Sequence, residues 1–459
     1  MITKVNMKKI NDEIKSKLTF SEYASYMFIF LSVLVSVYVY YRTNYTYQSI
    51  DAGYLKYYVI SILSVIFWMI VLQLKEAARI NIVLSTVVII ICLYIVEALL
   101  VYFKLDPVES ISIKVDKAKE LGIVYDSRTK LQVVEDMISD GIDAVPTVYP
   151  ADMRLADKKP FLPLAGVSSK VTVYANENGE YLIYKSDRHG FHNPDDEWDS
   201  EEIDWLLVGD SFTHGAAVKP GQEISGQIRR LTNSSVINLG IGGNGPLLQL
   251  AGLKEYAELL KPKNTLWIYY EGNDLKGDIQ RDKKNPILIK YLEDGFKQDL
   301  SIKQEEIDIN LLEYIKKEKK KINIDLEFDD SGWVRLSIIR SLLNFNALES
   351  RQETVADIPL FSTILSLAKS RVEAWDGKLY FVYLPNFSRY NNNVDHDKYR
   401  KRNEVIGAVK RLGIPIIDIH KNVFSKHDDF RSLFPLRMNG HYNKEGYEKV
   451  AIEIINETI

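Results

Sequence analysis

The sequence predicts an α/β fold in which a parallel sheet of about five strands follows three membrane-spanning helices. Two observations indicate this architecture. From Asp204 onward, short and almost entirely apolar runs alternate with stretches of helical spacing. Parallel strands that are covered by helices on both faces of their sheet have this pattern. Before residue 104, long apolar runs dominate the chain instead, as they do in membrane helices.

The first 104 residues form the predicted membrane anchor. Apolar stretches cover residues 23–41, 57–74 and about 80–103, and each comes close to the roughly 20 residues that a spanning helix needs. Aromatic side chains near their ends suit the headgroup region. Short polar loops separate the stretches, which disfavours a buried hairpin in a soluble core. The first stretch also lacks the small-residue cleavage site of a signal peptide.

Basic residues predict the orientation of this anchor. They are concentrated before the first stretch and in the second loop (Lys4, Lys8, Lys9, Lys15, Lys17, Lys75 and Arg79), whereas the first loop holds Arg42 and Lys56. The positive-inside rule therefore places the N-terminus and the second loop in the cytoplasm. Three passes through the inner (cytoplasmic) membrane then bring everything after Lys104 to the periplasmic or extracellular side. Glu97, in the third stretch, is expected to lie close enough to the interface to reach water, with a functional intramembrane carboxylate as the alternative.

Residues 105–200 form a predicted small satellite segment of mixed α/β structure. Residues 116–122 and 131–140 have helical spacing, while 171–174 and 181–184 alternate like strands around an Asn-Glu-Asn-Gly turn.

Residues 201–459 form the predicted main domain. Its expected strands are residues 205–208, 236–239, 266–270, 379–384 and 414–417. A long charged insertion at about 275–346 interrupts the alternation of strands and helices.

Composition narrows the possible partners and cofactors. The net charge is −4 and the charged residues are spread along the chain, so there is no reason to expect a nucleic-acid partner. The single cysteine, Cys92, excludes an intramolecular disulfide and a thiolate metal cluster. His189 and His192 have no further cluster of ligand residues around them in the sequence. We therefore expect no metal and no other cofactor.

Polar residues follow several of the predicted strands, at the edge where open parallel sheets bind ligands. Ser211 comes directly after the first strand, between glycines, on a tight turn that would expose its hydroxyl. Residues 238–246 contain four glycines, whose backbone amides can approach a substrate closely. Asn273 follows the third strand, and His441 precedes a predicted helix at about 444–455.

In this order the four blocks resemble the SGNH/GDSL hydrolase superfamily, in its membrane-anchored bacterial form. Short blocks of that family supply a serine, a glycine, an asparagine and a histidine. The resemblance covers roughly residues 204–455, broken by the insertion, and implies a flavodoxin-like domain. It implies that Ser211 is the nucleophile and that a neutral His441 takes its proton as general base.

The resemblance also implies an oxyanion hole made of the Ser211 amide, the Gly243 amide and the Asn273 side chain. Such preorganised donors contribute about 10²–10³ each to the rate of acyl transfer. Gly243 is selected because it lies five residues after the asparagine that begins its block, where the family has its glycine. Gly240 and Gly242 are rivals for this role.

The chain departs from the family at one position. The family usually has an acid three residues before the histidine, and that position is Met438 here. His441 must then be oriented by a backbone carbonyl or by an acid from elsewhere, for which Glu271, Asp428 and Asp429 are candidates.

Further residues are candidates for lining the site. Asp210 is expected to cap the following helix, His214 to border the pocket and Asp274 to brace the loop after the third strand. Residues 186–194 either place Arg188 in the cleft or form a turn that packs Phe191 against the sheet. The full set of lining candidates is Asp210, His214, Asn244, Glu271, Asp274 and Arg188.

These observations predict a serine esterase that removes O-acyl groups, with O-acetyl groups foremost, from a glycan or lipid outside the cytoplasm. The same serine and histidine would serve an O-acyltransferase acting on a surface polysaccharide, which would need a membrane partner to supply acyl groups. A non-catalytic membrane protein that binds a glycan is the other alternative, and Met438 is the residue that keeps it open.

Overall fold

The computed structural model describes residues 18–41, 52–102, 111–153, 161–329, 336, 339, 357–390 and 401–459. The chain forms two compact units. One comprises residues 1–110 with 321–352, and the other comprises residues 111–320 with 353–459. The lysines before the first helix lie outside the described residues, as do Arg42 and Lys104. Of residues 330–346, at the end of the predicted insertion, only 336 and 339 are described.

Three apolar helices characterise the first unit: α1 (Phe20–Tyr41), α2 (Ala52–Leu72) and α3 (Glu76–Tyr102). Within the described residues, Phe20–Tyr41 and Glu76–Leu100 are long and apolar enough to cross a membrane, whereas the apolar part of α2, Tyr57–Leu72, is shorter. Among its described residues, the structure therefore provides two candidate spans where the sequence predicts three.

Polar side chains join these helices to one another. Ser32 and Ser36 of α1 share hydrogen bonds of 2.8 and 2.7 Å with Ser64 and Ser61 of α2. Arg79, predicted in the second loop, instead lies in α3, where it is buried with 6% of its surface exposed. It forms an ion pair of 3.2 Å with Glu22 of α1. Its charge is thus compensated inside the unit.

Glu97 of α3 is fully buried. Its carboxylate accepts a hydrogen bond of 2.9 Å from the backbone N–H of Ile339, in the same unit. The expectation that Glu97 reaches water is therefore wrong, because a backbone donor far along the chain covers it.

The second unit begins with the satellite segment. It contains helices α4 (Ile111–Glu120) and α5 (Lys130–Ser139) and a sheet of strands β1 (Ala144–Pro146), β2 (Val171–Asn176) and β3 (Tyr181–Lys185). Strand β2 pairs in parallel with β1 and antiparallel with β3. The predicted helices and hairpin agree with these elements, whereas β1 was not predicted because its three residues carry no local strand signal.

Five parallel strands form the main sheet. They are β4 (Trp205–Val208), β5 (Val236–Asn238), β6 (Asn264–Tyr270), β7 (Lys378–Leu384) and β8 (Ile416–Asp418). Their spatial order is β5-β4-β6-β7-β8, and every pairing is parallel. This order, 2-1-3-4-5 counted within the sheet, is that of flavodoxin-like folds. The predicted α/β sheet is therefore confirmed.

Both faces of the main sheet are buried, which explains its continuous apolar strands. Successive side chains point to opposite faces of a strand. Accordingly, Leu206 and Val208 belong to one hydrophobic cluster, while Trp205 and Leu207 belong to the cluster on the other face.

The helices around this sheet follow the strands in chain order. They are α6 (Ser211–His214), α7 (Ile224–Thr232), α8 (Pro246–Gly252), α9 (Glu258–Leu260), α10 (Ile279–Asp282), α11 (Pro286–Lys290), α12 (Gln304–Asp329), α13 (Ile358–Glu373), α14 (Lys401–Arg411), α15 (Ile419–Asn422) and α16 (Lys444–Thr458). The part of the insertion before residue 321 packs onto the domain, since Leu288, Tyr291 and Leu311 belong to its core.

Candidate active site

Ser211 is the first residue of α6, directly after the carboxyl end of β4. The preceding Asp210 caps the helix by accepting a hydrogen bond of 2.9 Å from the Phe212 N–H. Gly209 permits this close turn, because a Cβ there would collide with the side chain of Thr213. Gly215, at φ +89°, ends the helix. Strand, cap and glycines together fix the position of the Ser211 hydroxyl.

His441 lies in the loop before α16 and reaches this hydroxyl. Its Nε2 is 2.7 Å from the Ser211 Oγ. The imidazole also packs against Phe212, with ring centroids 4.6 Å apart. About a fifth of the His441 side chain is exposed (21%). The structure thus brings together the two residues that the sequence predicts as nucleophile and general base.

Glu177 completes a row of three side chains. Its Oε1 lies 2.7 Å from the His441 Nδ1, and its Oε2 accepts a hydrogen bond of 2.9 Å from the His441 backbone N–H. Since an ionised carboxylate can only accept, Nδ1 carries the proton. Nε2 is then free to accept the proton of Ser211.

Glu177 lies at the turn between β2 and β3, and local contacts hold this turn. The Asn176 side chain accepts a hydrogen bond of 2.9 Å from the Gly179 N–H. Gly179 has φ +107°, a conformation that favours glycine. The Asn178 amide donates a hydrogen bond of 2.8 Å to the Ala217 carbonyl in the main domain. The satellite hairpin is therefore attached beside the site.

None of the three acids proposed to orient His441 bonds to it. Glu271 is buried and accepts hydrogen bonds from Arg389 at 2.8 Å and from the Asn386 N–H at 2.7 Å. Asp429 pairs with Arg437 at 2.8 Å, and Asp428 is exposed. Those candidates are wrong. The missing acid at Met438 indicates a distant carboxylate, but no local pattern in the sequence singles out Glu177.

The charges of this trio are mutually dependent. Burial raises the pKa of Glu177, but the charge and hydrogen bonds of His441, together with Lys114, lower it to about 2. Burial lowers the pKa of His441, but the Glu177 carboxylate, with help from Asp210, raises it above its ordinary value of 6.5. Glu177 is therefore ionised at neutral pH, and His441 binds a proton more readily than a free imidazole.

The three glycines considered for the oxyanion hole, Gly240, Gly242 and Gly243, have different contacts in the turn after β5. The Gly240 N–H donates to the Asn238 side chain at 2.8 Å, so this amide is already engaged. Gly242 lies under Tyr149, where a Cβ would come within 2.7 Å of the ring. Gly243 occupies the third position of a turn closed by a 3.1 Å bond from the Asn244 N–H to the Ile241 carbonyl. Its φ of +78° is the left-handed value.

Asn273 and Asp210 lie close to each other next to the nucleophile. Burial raises the pKa of Asp210 to about 6, an effect that the Phe212 N–H, the His441 charge and the Asn273 amide each oppose. Asn273 is half-buried, and its Oδ1 has no hydrogen-bond partner among the described residues. The donor of this side chain is its amide N–H, which acts on the Asp210 carboxylate in this structure; its role toward an oxyanion stays a prediction.

Two of the other lining candidates have structural contacts close to the site. Asp274 is buried and accepts a hydrogen bond of 2.9 Å from the Tyr270 N–H, so it braces the loop that carries Asn273. Asn244 is also buried, and its carbonyl accepts a hydrogen bond of 3.2 Å from Gln249.

His214 and Arg188 have contacts of their own. Burial, together with the charge of His441, lowers the pKa of His214. His214 is fully buried, with its ring centroid 4.5 Å from that of Tyr174, so the expectation that it borders the pocket is wrong. Arg188 forms ion pairs with Asp195 at 2.9 Å and with Asp199 at 2.6 Å. Phe191 beside it is buried, and the segment is therefore the turn that packs Phe191.

No protein-family model and no curated protein matches the chain. Among solved structures, it is similar to a lipase/acylhydrolase from Enterococcus faecalis (14% identity, TM-score 0.33, covering 56% of this chain and 94% of that chain). It is also similar to a lipolytic protein of the G-D-S-L family from Desulfitobacterium hafniense DCB-2 (11% identity, TM-score 0.32, covering 56% of this chain and 99% of that chain). A third similar structure is an acetyl xylan esterase (13% identity, TM-score 0.33, covering 56% of this chain and 100% of that chain).

Proposed function

We propose that the chain is a serine esterase of SGNH type that removes O-acyl groups, O-acetyl groups foremost, from a glycan or lipid outside the cytoplasm. One observation carries the proposal. Ser211 Oγ, the His441 imidazole and the Glu177 carboxylate form a continuous row with 2.7 Å at each step. This is the arrangement of a nucleophile, its base and the group that orients the base.

The geometry supports a two-step reaction. His441 Nε2 takes the Ser211 proton as Oγ attacks the ester carbonyl, and Glu177 stabilises the imidazolium that forms. The amides of Ser211 and Gly243 and the Asn273 side chain stabilise the negative charge on the carbonyl oxygen. His441 then returns the proton to the leaving alcohol, which leaves an acyl group on Ser211. A water molecule, deprotonated by His441, releases the acid and restores the serine.

The position of Glu177 bears on the non-catalytic alternative. That alternative rested on Met438, because the family's acid is missing at that position. Since Glu177 contacts His441 in the way such an acid would, Met438 no longer argues against turnover. We propose that the satellite segment 105–200 and the main domain 201–459 act together as one catalytic domain behind a membrane anchor of residues 1–104.

Hydrolysis of p-nitrophenyl acetate by the full-length protein in detergent tests this function. We expect a rate above background that Ser211→Ala and His441→Ala each reduce by at least about 10³-fold, since removal of either residue of such a pair disables the mechanism. Ser139→Ala, at an exposed position of α5, and His427→Ala are the matched controls and should retain the activity. Equal rates for all five proteins would contradict the proposal.

A further inference from the structure

Among the described residues, Lys130 is a cation without an anion partner beside the candidate site. It is the first residue of α5 in the satellite segment, and its side chain is half-buried. Its Nζ lies 5.3 Å from the ring centroid of Tyr149 and 5.9 Å from that of Tyr174. Within the described parts of the chain it forms no hydrogen bond to a carboxylate and no ion pair.

The surroundings of Lys130 do not compensate its charge. Burial alone lowers the pKa of its amine to about 8, and no carboxylate in the described parts of the chain opposes this shift. A partly desolvated amine without a counter-ion is unfavourable, and such groups concentrate at functional sites. The position and surroundings of Lys130 therefore suit the binding of an anion.

The aromatic rings connect Lys130 to the reacting groups. The Tyr149 ring lies over Gly242, within 2.7 Å of where a Cβ would be. Ala151 lies over Gly243, with its Cβ 3.6 Å from the equivalent position. The segment that contains Tyr149 and Ala151 therefore covers the turn of residues 241–244, which we call the oxyanion turn. Lys130 contacts the same ring that covers Gly242.

A second lysine of the satellite segment reinforces the positive charge. Lys114 of α4 is close enough to lower the pKa of Glu177. It is half-buried and forms no ion pair within 4 Å among the described residues. Because the Glu177 carboxylate is engaged by His441, it does not neutralise both lysines. The described satellite residues near the site thus include two lysines that form no ion pair.

We propose that Lys130 binds a carboxylate or phosphate group of the acylated substrate while the sugar ring that carries this group lies against Tyr149. The substrate is then an acidic glycan. This inference rests on the proposed esterase function and names its substrate class. Lys130 contributes binding and orientation, whereas the bond-breaking step remains with Ser211 and His441.

Three acetylated sugars test this inference with the full-length protein in detergent. They are methyl glucoside, methyl glucuronoside and methyl glucoside 6-phosphate, each acetylated on its ring hydroxyls, and acetate release gives kcat/KM for each. We expect the wild type to prefer the two anionic probes by about tenfold, within the range of a charge-assisted hydrogen bond. Preference for one anionic probe over the other identifies the carboxylate or the phosphate as the group bound.

Substitutions then assign the preference to Lys130. Lys130→Met should reduce the ratio of anionic to neutral kcat/KM to about one, and Lys130→Arg should restore it. Lys119→Met removes an exposed lysine of α4 and should leave the ratio unchanged. Fluorophosphonate labelling of Ser211 confirms that each variant is folded at its site.

The outcomes separate this inference from the function on which it rests. A wild type that hydrolyses neutral and anionic probes equally, or a Lys130→Met variant that keeps the preference, overturns the acidic-glycan inference alone. A protein without Ser211-dependent hydrolysis of p-nitrophenyl acetate overturns the esterase function itself.

Discussion

At the scale of single residues, Glu177 explains how His441 acquires its orientation without an acid at Met438. The two partners are separated by 264 positions in the chain, and one carboxylate accepts hydrogen bonds from both the ring and the backbone N–H of His441. Because the pKa of Glu177 is held at about 2, the carboxylate stays ionised across the pH range in which an esterase is assayed. The pH dependence should therefore report chiefly on His441.

The raised pKa of His441 predicts the direction of that dependence. The general base must be neutral, so kcat/KM for p-nitrophenyl acetate should rise with pH, with a midpoint above 6.5. Glu177→Gln removes the charge that raises this pKa. The midpoint should therefore move to lower pH, and the plateau should fall by roughly 10³-fold because the imidazolium loses its stabilising partner.

A control on the same hairpin isolates this effect. Glu180 also carries a negative charge, but its side chain is 63% exposed and pairs with Lys219. Glu180→Gln should leave both midpoint and plateau as in the wild type. A Glu177→Gln protein with the wild-type pH profile would show that Glu177 does not act on His441.

At the scale of elements, the turn after β5 is the structure that presents Gly243. The Arg281 side chain donates a hydrogen bond to the Gly243 carbonyl and pairs with Asp278 at 2.9 Å. Arg281 and Asp278 belong to the predicted insertion. This segment therefore supports the turn that contains Gly243 as well as packing on the core.

A glycine comparison tests this turn. Gly243 and Gly221 have φ of +78° and +83°, and a Cβ at either position would meet no close neighbour. Replacement by alanine should therefore cost each protein about 1–2 kcal/mol of stability through backbone strain, measured as a similar fall in Tm. Gly243→Ala should also reduce kcat by roughly 10²-fold because its amide moves. Loss of activity in both variants, or in neither, would contradict the role given to Gly243.

The elements also show where local sequence patterns suffice. Apolar runs such as residues 205–208 predict the strands of the main sheet, because burial on both faces leaves a continuous signal in each strand. The β2–β3 hairpin is likewise predicted from its alternation and its turn. Strand β1 is too short for such a signal, and its pairing with β2 depends on the tertiary structure.

The residues of the candidate site likewise fall into those that a local sequence pattern predicts and those whose role depends on the tertiary structure. Ser211 and His441, which the structure brings together, can be predicted because one follows a strand and the other precedes a helix in recognisable blocks. The roles of Gly243 and Asn273 stay predictions from the resemblance. Glu177 was not found, because its role depends on docking of the satellite hairpin, which the Asn178 contact to the Ala217 carbonyl fixes. His214 was misassigned for a related reason. Its proximity to Ser211 in the sequence gave no indication that Tyr174 would bury it.

At the scale of the whole molecule, the number of membrane passes decides where the catalytic domain lies. Three passes place it opposite the N-terminus, whereas two would return it to the same side. The structure provides two helices of sufficient length and apolarity within its described residues and a shorter apolar helix between them. We propose that this helix also spans the membrane, since the basic residues favour a cytoplasmic N-terminus.

Cysteine labelling tests this topology. The chain has one cysteine, so Cys92→Ser gives a background in which a single new thiol can be introduced. With Ser139→Cys in α5, a membrane-impermeant maleimide should react in intact spheroplasts. With Ser16→Cys, before the first helix, it should react only after permeabilisation. Labelling of Ser139→Cys that also requires permeabilisation would place the catalytic domain in the cytoplasm.

Covalent capture of the nucleophile tests the central claim most directly. A fluorophosphonate probe reacts with a serine whose hydroxyl is activated by a neighbouring base, and mass spectrometry of the full-length protein identifies the labelled residue. We predict a single adduct on Ser211, formed much more slowly in His441→Ala and Glu177→Gln. An unlabelled Ser211, or labelling at the same rate without His441, would contradict the account.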